Sequence, residues 1–136
     1  VQTDEQNQPT LCLHLTQRSC DVALGLPYNI AGYAFLLELF SRLSGIPVGR
    51  FAHTLIDAHV YTAKPNGEKS DYDHVPGLQQ QLGRSPRSLP TLAIDPTIRS
   101  LRDIEQLFEA STEDLLATFA LSGYAPHPAI QFKVAV

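Results

Sequence analysis

A polar segment between an alternating segment and a helix-forming segment most strongly limits what this chain can fold into. Residues 11–16 alternate apolar and polar side chains, which is the period of a half-buried strand. Residues 17–21, Gln-Arg-Ser-Cys-Asp, follow directly. Pro27 suits the first turn of a helix, because proline lacks the N–H that has no partner there. We therefore predict a strand, a polar loop and a helix start, an arrangement that commonly forms an anion-binding pocket.

The remaining segments predict a mixture of helices and strands. The helix at Pro27 has apolar residues at steps of three and four and should end near Gly45. Residues 51–61 alternate again and predict a strand with one polar face. The other predicted elements are a hairpin tip at 4–9, a short helix at 74–84, an edge strand at 89–94, a helix capped by Ser100, a helical turn from Thr112, and two last strands at 119–122 and 129–134. This order indicates an α+β fold with a large mixed β-sheet packed against helices.

Charge and composition exclude several classes of partner. The net charge of −4 disfavours DNA, whose phosphates require a basic surface, although a single arginine can still bind a single nucleotide. No apolar run is long enough for a membrane span, and residues 1–9 do not resemble a signal peptide. The two cysteines fit neither a zinc site nor a disulfide framework. We expect a cytoplasmic enzyme without a membrane partner.

Several side chains near the predicted loop are candidate ligands, and each has a structural alternative. Arg18 and Ser19 could hold a phosphate, but spacing alone more often indicates an arginine in a surface salt bridge. Asp21 lies where the backbone could approach a flat ligand, or it is an ordinary loop carboxylate. The amide of Asn29 both donates and accepts, so it could pair with a heterocycle edge that does the same, or it could cap the helix.

His59 and Tyr61 lie two residues apart on the predicted strand and should point the same way. They could bind a hydroxyl group together, although such pairs are more often satisfied core residues. His53 and Asp57 share this face. Because four residues along one strand cannot converge on one ion, we expect no metal site.

Four segments, in order, resemble the thymidylate synthase family. They are QRSCD with LGLPYNIAGYAFL, HTLIDAHVY at 53–61, SPRSLP at 85–90, and GYAPHPAIQFKVAV at 123–136. The resemblance covers nearly all of residues 11–136 but only about the C-terminal half of the family. The chain also contains no methionine. We therefore expect residues 1–136 to be the C-terminal portion of a single thymidylate synthase-like domain, without the N-terminal half that carries the catalytic cysteine in a Pro-Cys-His motif.

The resemblance implies a transferase that converts deoxyuridylate (dUMP) to thymidylate (dTMP). The co-substrate would be 5,10-methylenetetrahydrofolate, the second product dihydrofolate, and the enzyme a homodimer without a metal. Two alternatives stay open: a pyrimidine nucleotide hydroxymethylase, and a non-catalytic fragment that binds nucleotide or dimerises. Asn29 disfavours a cytosine hydroxymethylase, which is expected to carry aspartate there. The isolated chain should be inactive, because no catalytic residue is expected within it.

The resemblance also assigns roles to individual residues. Arg18 and Ser19 would hold the phosphate, Asn29 would bind the base, and His59 with Tyr61 would bind the 3′-hydroxyl. Cys20 matches a non-catalytic cysteine of the family. The expected dUMP contacts are Gln17, Arg18, Ser19, Cys20, Asp21, Asn29, His59 and Tyr61. The expected folate contacts are Asp21, Leu24, Gly25 and Ala135, with the C-terminal residues closing over both ligands.

Overall fold

The first alternating segment forms a longer strand than the sequence predicts. In the computed structural model, which describes residues 1–64, 66, 68 and 72–134, strand β2 spans Pro9–Asp21. The predicted loop at 17–21 is therefore wrong, because these residues continue the strand. Just beyond it, the Val22 N–H still donates to the His59 carbonyl at 3.0 Å, so backbone pairing outweighs the polar composition.

A short hairpin precedes this strand. Strand β1, Gln2–Thr3, pairs antiparallel with the start of β2. At the tip, the Asp4 carboxylate accepts from the N–H groups of Gln6 and Gln8 at 2.9 and 2.8 Å. Asn7 adopts a φ of 59°, which asparagine tolerates better than most residues. The predicted hairpin tip at 4–9 is confirmed.

Helix α1 spans Gly25–Ser44 and follows β2 after a three-residue turn. It begins two residues before Pro27, which therefore lies in the first turn as predicted. Gly45 has a φ of +70°, the left-handed conformation that commonly ends a helix. The Ser41 hydroxyl donates to the carbonyl of Ile46 at 2.7 Å and holds the chain as it leaves the helix.

Strand β3 spans Val48–His59 and completes a three-stranded sheet in the order β1-β2-β3. Its alternation is confirmed, since Phe51, His53 and Leu55 are half-buried whereas the residues between them are exposed. The large sheet that the sequence predicts is represented, in the part of the chain that the structure describes, by these three strands.

The rest of the chain consists of shorter elements. They are helix α2 (Val75–Leu82), strand β4 (Thr91–Ile94), helix α3 (Leu101–Gln106), a 3-10 turn (Leu107–Glu109), helix α4 (Thr112–Thr118) and strand β5 (Phe119–Ser122). Strands β4 and β5 pair antiparallel, with Thr91 opposite Ser122. Ser100 begins α3 with a capping box in which its side chain and that of Asp103 each bond to the other's backbone N–H, so the predicted cap is confirmed.

The predicted strand at 129–134 is wrong, since these residues form neither strand nor helix. Side-chain contacts hold the segment instead of a β-ladder. The imidazole of His74 bonds to the carbonyl of Lys133 at 2.9 Å. Phe132 packs so closely on Gly77 that a Cβ built there would lie 2.5 Å from the Phe132 ring.

The chain divides into two compact units. The first contains residues 1–13, 34–52 and 87–126, with Leu37, Leu39 and Ile98 buried and the rings of Phe35 and Phe119 meeting edge to face. The second contains residues 14–33, 53–86 and 127–136, with Cys20, Ala23 and His74 buried. Helices and sheets mix in the way that the α+β prediction requires. Across the described ranges, no helix is long and apolar enough to cross a membrane.

Candidate functional site

All the described residues predicted to bind a ligand lie in the second compact unit. They come from the end of β2, the first turns of α1, and the end of β3 with the residues just after it. Ala135, the remaining predicted contact, lies outside the described residues.

Gln17 and Asn29 are joined by their side chains. Gln17 Nε2 donates to Asn29 Oδ1 at 2.9 Å and to the Ser19 carbonyl at 2.8 Å. The other end of the Gln17 amide, Oε1, lies 2.9 Å from His53 Nε2, and because an amide oxygen only accepts, His53 must donate. Three side chains thus form a directed series of hydrogen bonds that ends on Asn29.

This series fixes the orientation of the Asn29 amide. Since Oδ1 accepts from Gln17, one lone pair of Oδ1 and the Nδ2 donors stay available; no hydrogen bond from Nδ2 is found among the described residues. Asn29 is the fifth residue of α1, past the N-cap, so the helix-capping alternative does not describe it. The half-buried amide can serve a ring edge that carries one acceptor and one donor.

Arg18 and Ser19 lie near the C-terminal end of β2, and both side chains are exposed. The salt-bridge alternative for Arg18 is not found, because no ion pair of this residue occurs within the described part of the chain. An exposed guanidinium and an exposed hydroxyl are each able to bind a phosphate dianion from solvent.

Cys20 is fully buried, which fits a structural thiol and not a nucleophile. Burial raises the pKa of the thiol, and the negative charge of Asp21 raises it further. Because the thiolate is the nucleophilic form, a higher pKa lowers reactivity at neutral pH. The side chain is also closed to solvent, so direct contact with a ligand would require it to become exposed.

Asp21 links the end of β2 to the start of α1. Its Oδ1 accepts from the N–H groups of Ala23 and Leu24 at 3.0 and 3.4 Å. The same atom lies 3.5 Å from Nδ1 of His74, a buried residue that the sequence reasoning did not assign to the site. No sequence pattern links His74 to Asp21, because the two residues come together only in the folded chain.

Leu24 and Gly25 are half-buried at the helix start. A Cβ built on Gly25 would lie 3.7 Å from Asn29 Oδ1 and from Asp21 Cβ, which are ordinary contacts. The chain itself therefore gives no steric reason for glycine at this position. A ligand that approaches this backbone closely would give one.

His59 and Tyr61 contact each other directly. Their rings meet edge to face, with centroids 5.2 Å apart and an interplanar angle of 82°. His59 ends β3 and Tyr61 follows it, so the strand predicted at 51–61 ends two residues earlier in the structure and contains only the first of the pair. Nδ1 of His59 lies 3.3 Å from the carbonyl of Asp57 and 3.6 Å from its carboxylate, which favours a proton on Nδ1 and leaves Nε2 for another partner.

His53 and Asp57 belong to the strand face on which the sequence predicts no metal site. In the described ranges, no group of three or more histidine, cysteine, aspartate or glutamate side chains is placed to hold a metal ion. His53 instead donates to Gln17. The sequence reasoning therefore missed its contribution to orienting Asn29.

Comparison with known proteins identifies the family. The sequence model of the thymidylate synthase family matches residues 1–136. Among solved structures, the chain is similar to a thermostable thymidylate synthase A from Bacillus subtilis, with 28% sequence identity and a TM-score of 0.75. That match covers 98% of this chain and 40% of the Bacillus subtilis chain, so this chain spans about two fifths of its length. This chain therefore belongs to the thymidylate synthase family.

Proposed function

We propose that the protein containing this chain catalyses the reductive methylation of dUMP to dTMP, with 5,10-methylenetetrahydrofolate as co-substrate and dihydrofolate as second product. The observation that carries this proposal is the orientation of the Asn29 amide by Gln17. Nδ2 of Asn29 would donate to O4 of uracil, and the second lone pair of Oδ1 would accept from N3–H. Family membership supports the same substrate.

The other nucleotide contacts follow from the same unit of the structure. The Arg18 guanidinium and the Ser19 hydroxyl would bind the phosphate, because both are exposed at the end of β2. His59 would accept at Nε2 from the 3′-hydroxyl of the deoxyribose, and the Tyr61 hydroxyl would complete that contact. Cys20 would contribute packing behind these residues.

The folate would bind beside Asp21, Leu24 and Gly25. Asp21 would contact the pterin ring through the part of its carboxylate that the backbone does not engage, and Gly25 would let the ring approach the helix start. Ala135 would take part as the C-terminal residues close over the ligands. When bound, the folate supplies the one-carbon unit and the hydride.

The nucleophile would come from outside residues 1–136. A thiolate must attack C6 of the uracil ring to make C5 nucleophilic, and the buried Cys20 is unsuited to this step. We propose that residues 1–136 are the C-terminal portion of one thymidylate synthase-like domain, which acts as a homodimer and is inactive without the remaining portion. Exposed apolar residues such as Phe40 and Ile56 support a further protein surface against this one.

Turnover by the intact protein tests the proposal. Incubation with dUMP and 5,10-methylenetetrahydrofolate should yield dTMP and dihydrofolate in equal amounts, detected by mass spectrometry and by dihydrofolate absorbance. A 5-hydroxymethyl product without dihydrofolate would identify a hydroxymethylase instead. Tight dUMP binding without any product would identify a non-catalytic nucleotide-binding module.

A further inference from the structure

His74 is the most buried polar residue in the described part of the chain, with 1% of its surface exposed. Its Nε2 lies 2.9 Å from the backbone carbonyl of Lys133. Because a carbonyl only accepts, Nε2 must carry a proton and donate. Its Nδ1 lies 3.5 Å from Oδ1 of Asp21 and makes no hydrogen bond with the described residues.

The imidazole is held in this orientation by aromatic rings on two sides. Tyr61 meets it edge to face at 5.4 Å between centroids, and Phe132 does so at 5.1 Å. The His74 N–H also donates to the Tyr61 carbonyl at 3.0 Å, so backbone and side chain are both fixed. Such a ring cannot turn to exchange its two nitrogens without disturbing both neighbours.

The charged and titratable groups around His74 are few. Asp21 faces Nδ1 from the end of β2, and the Tyr61 ring packs on one side with His59 behind it. The Asp73 carboxylate, next along the chain, accepts from the Val75 N–H at 3.0 Å. Among these, Asp21 is the carboxylate that lies within ion-pair distance of the imidazole.

We propose that His74 is a positioning residue that ties the C-terminal segment 130–134 to Asp21. Nε2–H holds the segment through the Lys133 carbonyl. On the other side of the ring, Nδ1 faces the Asp21 carboxylate at 3.5 Å, within the distance of an ion pair for a charged imidazole. The inference rests on the proposed function, in which Asp21 contacts folate, because the tie then joins the folate contact to the segment that closes over it.

Backbone amide exchange in the ligand-free intact protein tests the tie. His74→Asn keeps a donor near the Nδ1 position and removes the one at Nε2, so exchange of amides 130–134 should become about tenfold faster, as expected for one lost hydrogen bond. His74→Gln keeps the donor near Nε2 and should leave this exchange within about threefold. Unchanged exchange in His74→Asn would overturn the proposal.

The control is His127→Asn. His127 Nε2 also lies 2.9 Å from a backbone carbonyl, that of Ser85, and belongs to the same compact unit. This variant should not change exchange at 130–134. If it does, the effect of His74→Asn is not specific to the tie, and the proposal fails.

Two measurements keep the test decisive if His74 variants do not fold. Gly77→Ala alters no titratable group but places a Cβ 2.5 Å from the Phe132 ring, so it should speed exchange of the same amides. In wild-type protein with labelled histidines, nitrogen NMR should show the neutral His74 ring protonated at Nε2. A neutral ring protonated at Nδ1 would overturn the proposal.

Kinetics then test the link to folate. His74→Asn, which releases the segment, should raise the KM for 5,10-methylenetetrahydrofolate about five- to tenfold, while kcat and the KM for dUMP stay within about twofold. An unchanged folate KM would overturn the link between the tie and folate. Because exchange is measured without ligand, a wild-type protein that makes no dTMP would contradict the proposed function and still leave the tie to be tested.

Discussion

The side-chain amide of Gln17 donates to the side-chain oxygen of Asn29 across 2.9 Å, from the end of strand β2 to the second turn of helix α1. The bond spans twelve residues of sequence and joins two elements whose backbones are fixed separately. It decides which end of the Asn29 amide is left to meet a ligand. In the proposed function, discrimination between uracil and cytosine would depend on a residue that need not touch the base.

Gln17→Glu should weaken dUMP binding. A carboxylate cannot donate to Asn29 Oδ1, so the Asn29 amide would turn its NH2 group towards position 17 and present oxygen to O4 of uracil. We expect a loss of about tenfold in affinity, measured by calorimetry on the intact protein. Gln80→Glu, an equal charge change at an exposed position of α2, is the control and should have no effect. Equal affinities for both variants would show that Gln17 does not orient Asn29.

Asn29→Asp should lower uracil turnover and shift the preference towards deoxycytidylate. An ionised aspartate only accepts, so O4 of dUMP would face a carboxylate, and an unsatisfied buried group costs about 1–3 kcal/mol. Turnover of dUMP should fall by about tenfold or more. The protonated acid can accept from the cytosine amino group and donate to N3, so the shift should increase as pH falls.

Competition between dUMP and deoxycytidylate measures the preference ratio. Gln17 donates to position 29 in either variant, so the comparison changes only the group that faces the base. An unchanged ratio would mean that the base is recognised elsewhere.

Arg18→Ala should weaken dUMP binding by about 2–3 kcal/mol, the range for hydrogen bonds to a charged group. Arg18→Lys should recover only part of this loss, because an ammonium group cannot form the two parallel bonds of a guanidinium. Arg102→Ala removes an exposed arginine from α3 and is the matched control. Deoxyuridine, which lacks the phosphate, should bind wild type and Arg18→Ala equally; a difference would remove Arg18 from the phosphate site.

Gly25→Ala should separate folding from folate binding. The new Cβ makes only ordinary contacts within the chain, and alanine is the better helix former, so the free energy of unfolding should stay equal or rise by about 0.5–1 kcal/mol. A ring that packs on this backbone would meet the methyl group, and folate affinity should fall by about tenfold. Gly32→Ala in the same helix, with nothing within 4 Å of its Cβ, should stabilise equally and leave folate affinity unchanged. Equal folate affinity in both variants would place the ring elsewhere.

Cys20→Ser should leave turnover of the intact protein within about threefold, because a buried thiol of raised pKa is not the nucleophile. Stability should fall by about 1–3 kcal/mol, since the serine hydroxyl is buried without an assigned partner. Capture of 5-fluorodeoxyuridylate on Cys20 in a peptide map would contradict this assignment. The control is Cys12→Ser, which makes the same chemical change at the other cysteine, a half-buried one.

The raised pKa of Cys20 also predicts the sign of a pH effect on stability. The folded state holds the thiol proton more tightly than the unfolded chain, so the stabilisation is complete below the ordinary value of 9.0 and is lost as pH rises towards the folded pKa. Denaturant unfolding of wild type and Cys20→Ala between pH 8 and pH 11, a range of about three units around that value, should show wild type losing more stability. If the unfolding free energies of wild type and Cys20→Ala change in parallel with pH, burial does not raise the pKa of this thiol.

The sequence predicts helix ends correctly where a few adjacent residues determine them. Gly45 ends α1 and Ser100 begins α3 because each terminus is decided by a few adjacent residues. The polarity of segment 17–21 predicts a loop, whereas the backbone partner of its end lies far along the chain at the end of β3. Polarity alone cannot show that a neighbouring strand will satisfy the backbone.

The same limit applies to the site. The sequence pointed to Arg18 and Asp21 because they lie in the polar segment 17–21, and to Asn29 because its amide follows shortly after in the predicted helix. It could not point to His74, whose partner at Lys133 is 59 residues away, or to the bond between Gln17 and His53 across 36 residues. Contacts of this kind arise only when separate elements pack.

The close packing of Phe132 on Gly77 has a consequence for selection experiments. A library that randomises position 77 and is selected for folded protein samples every side chain at a place where even one extra carbon displaces the aromatic ring. Survivors should be restricted to glycine as long as the wild-type phenylalanine is present. Exchanging Phe132 for a smaller residue in the same library should widen the accepted set, with alanine and serine the first to enter. Sequencing of the selected variants would then show that the residues accepted at position 77 depend on the residue at position 132. That dependence would report the packing of the C-terminal segment on α2.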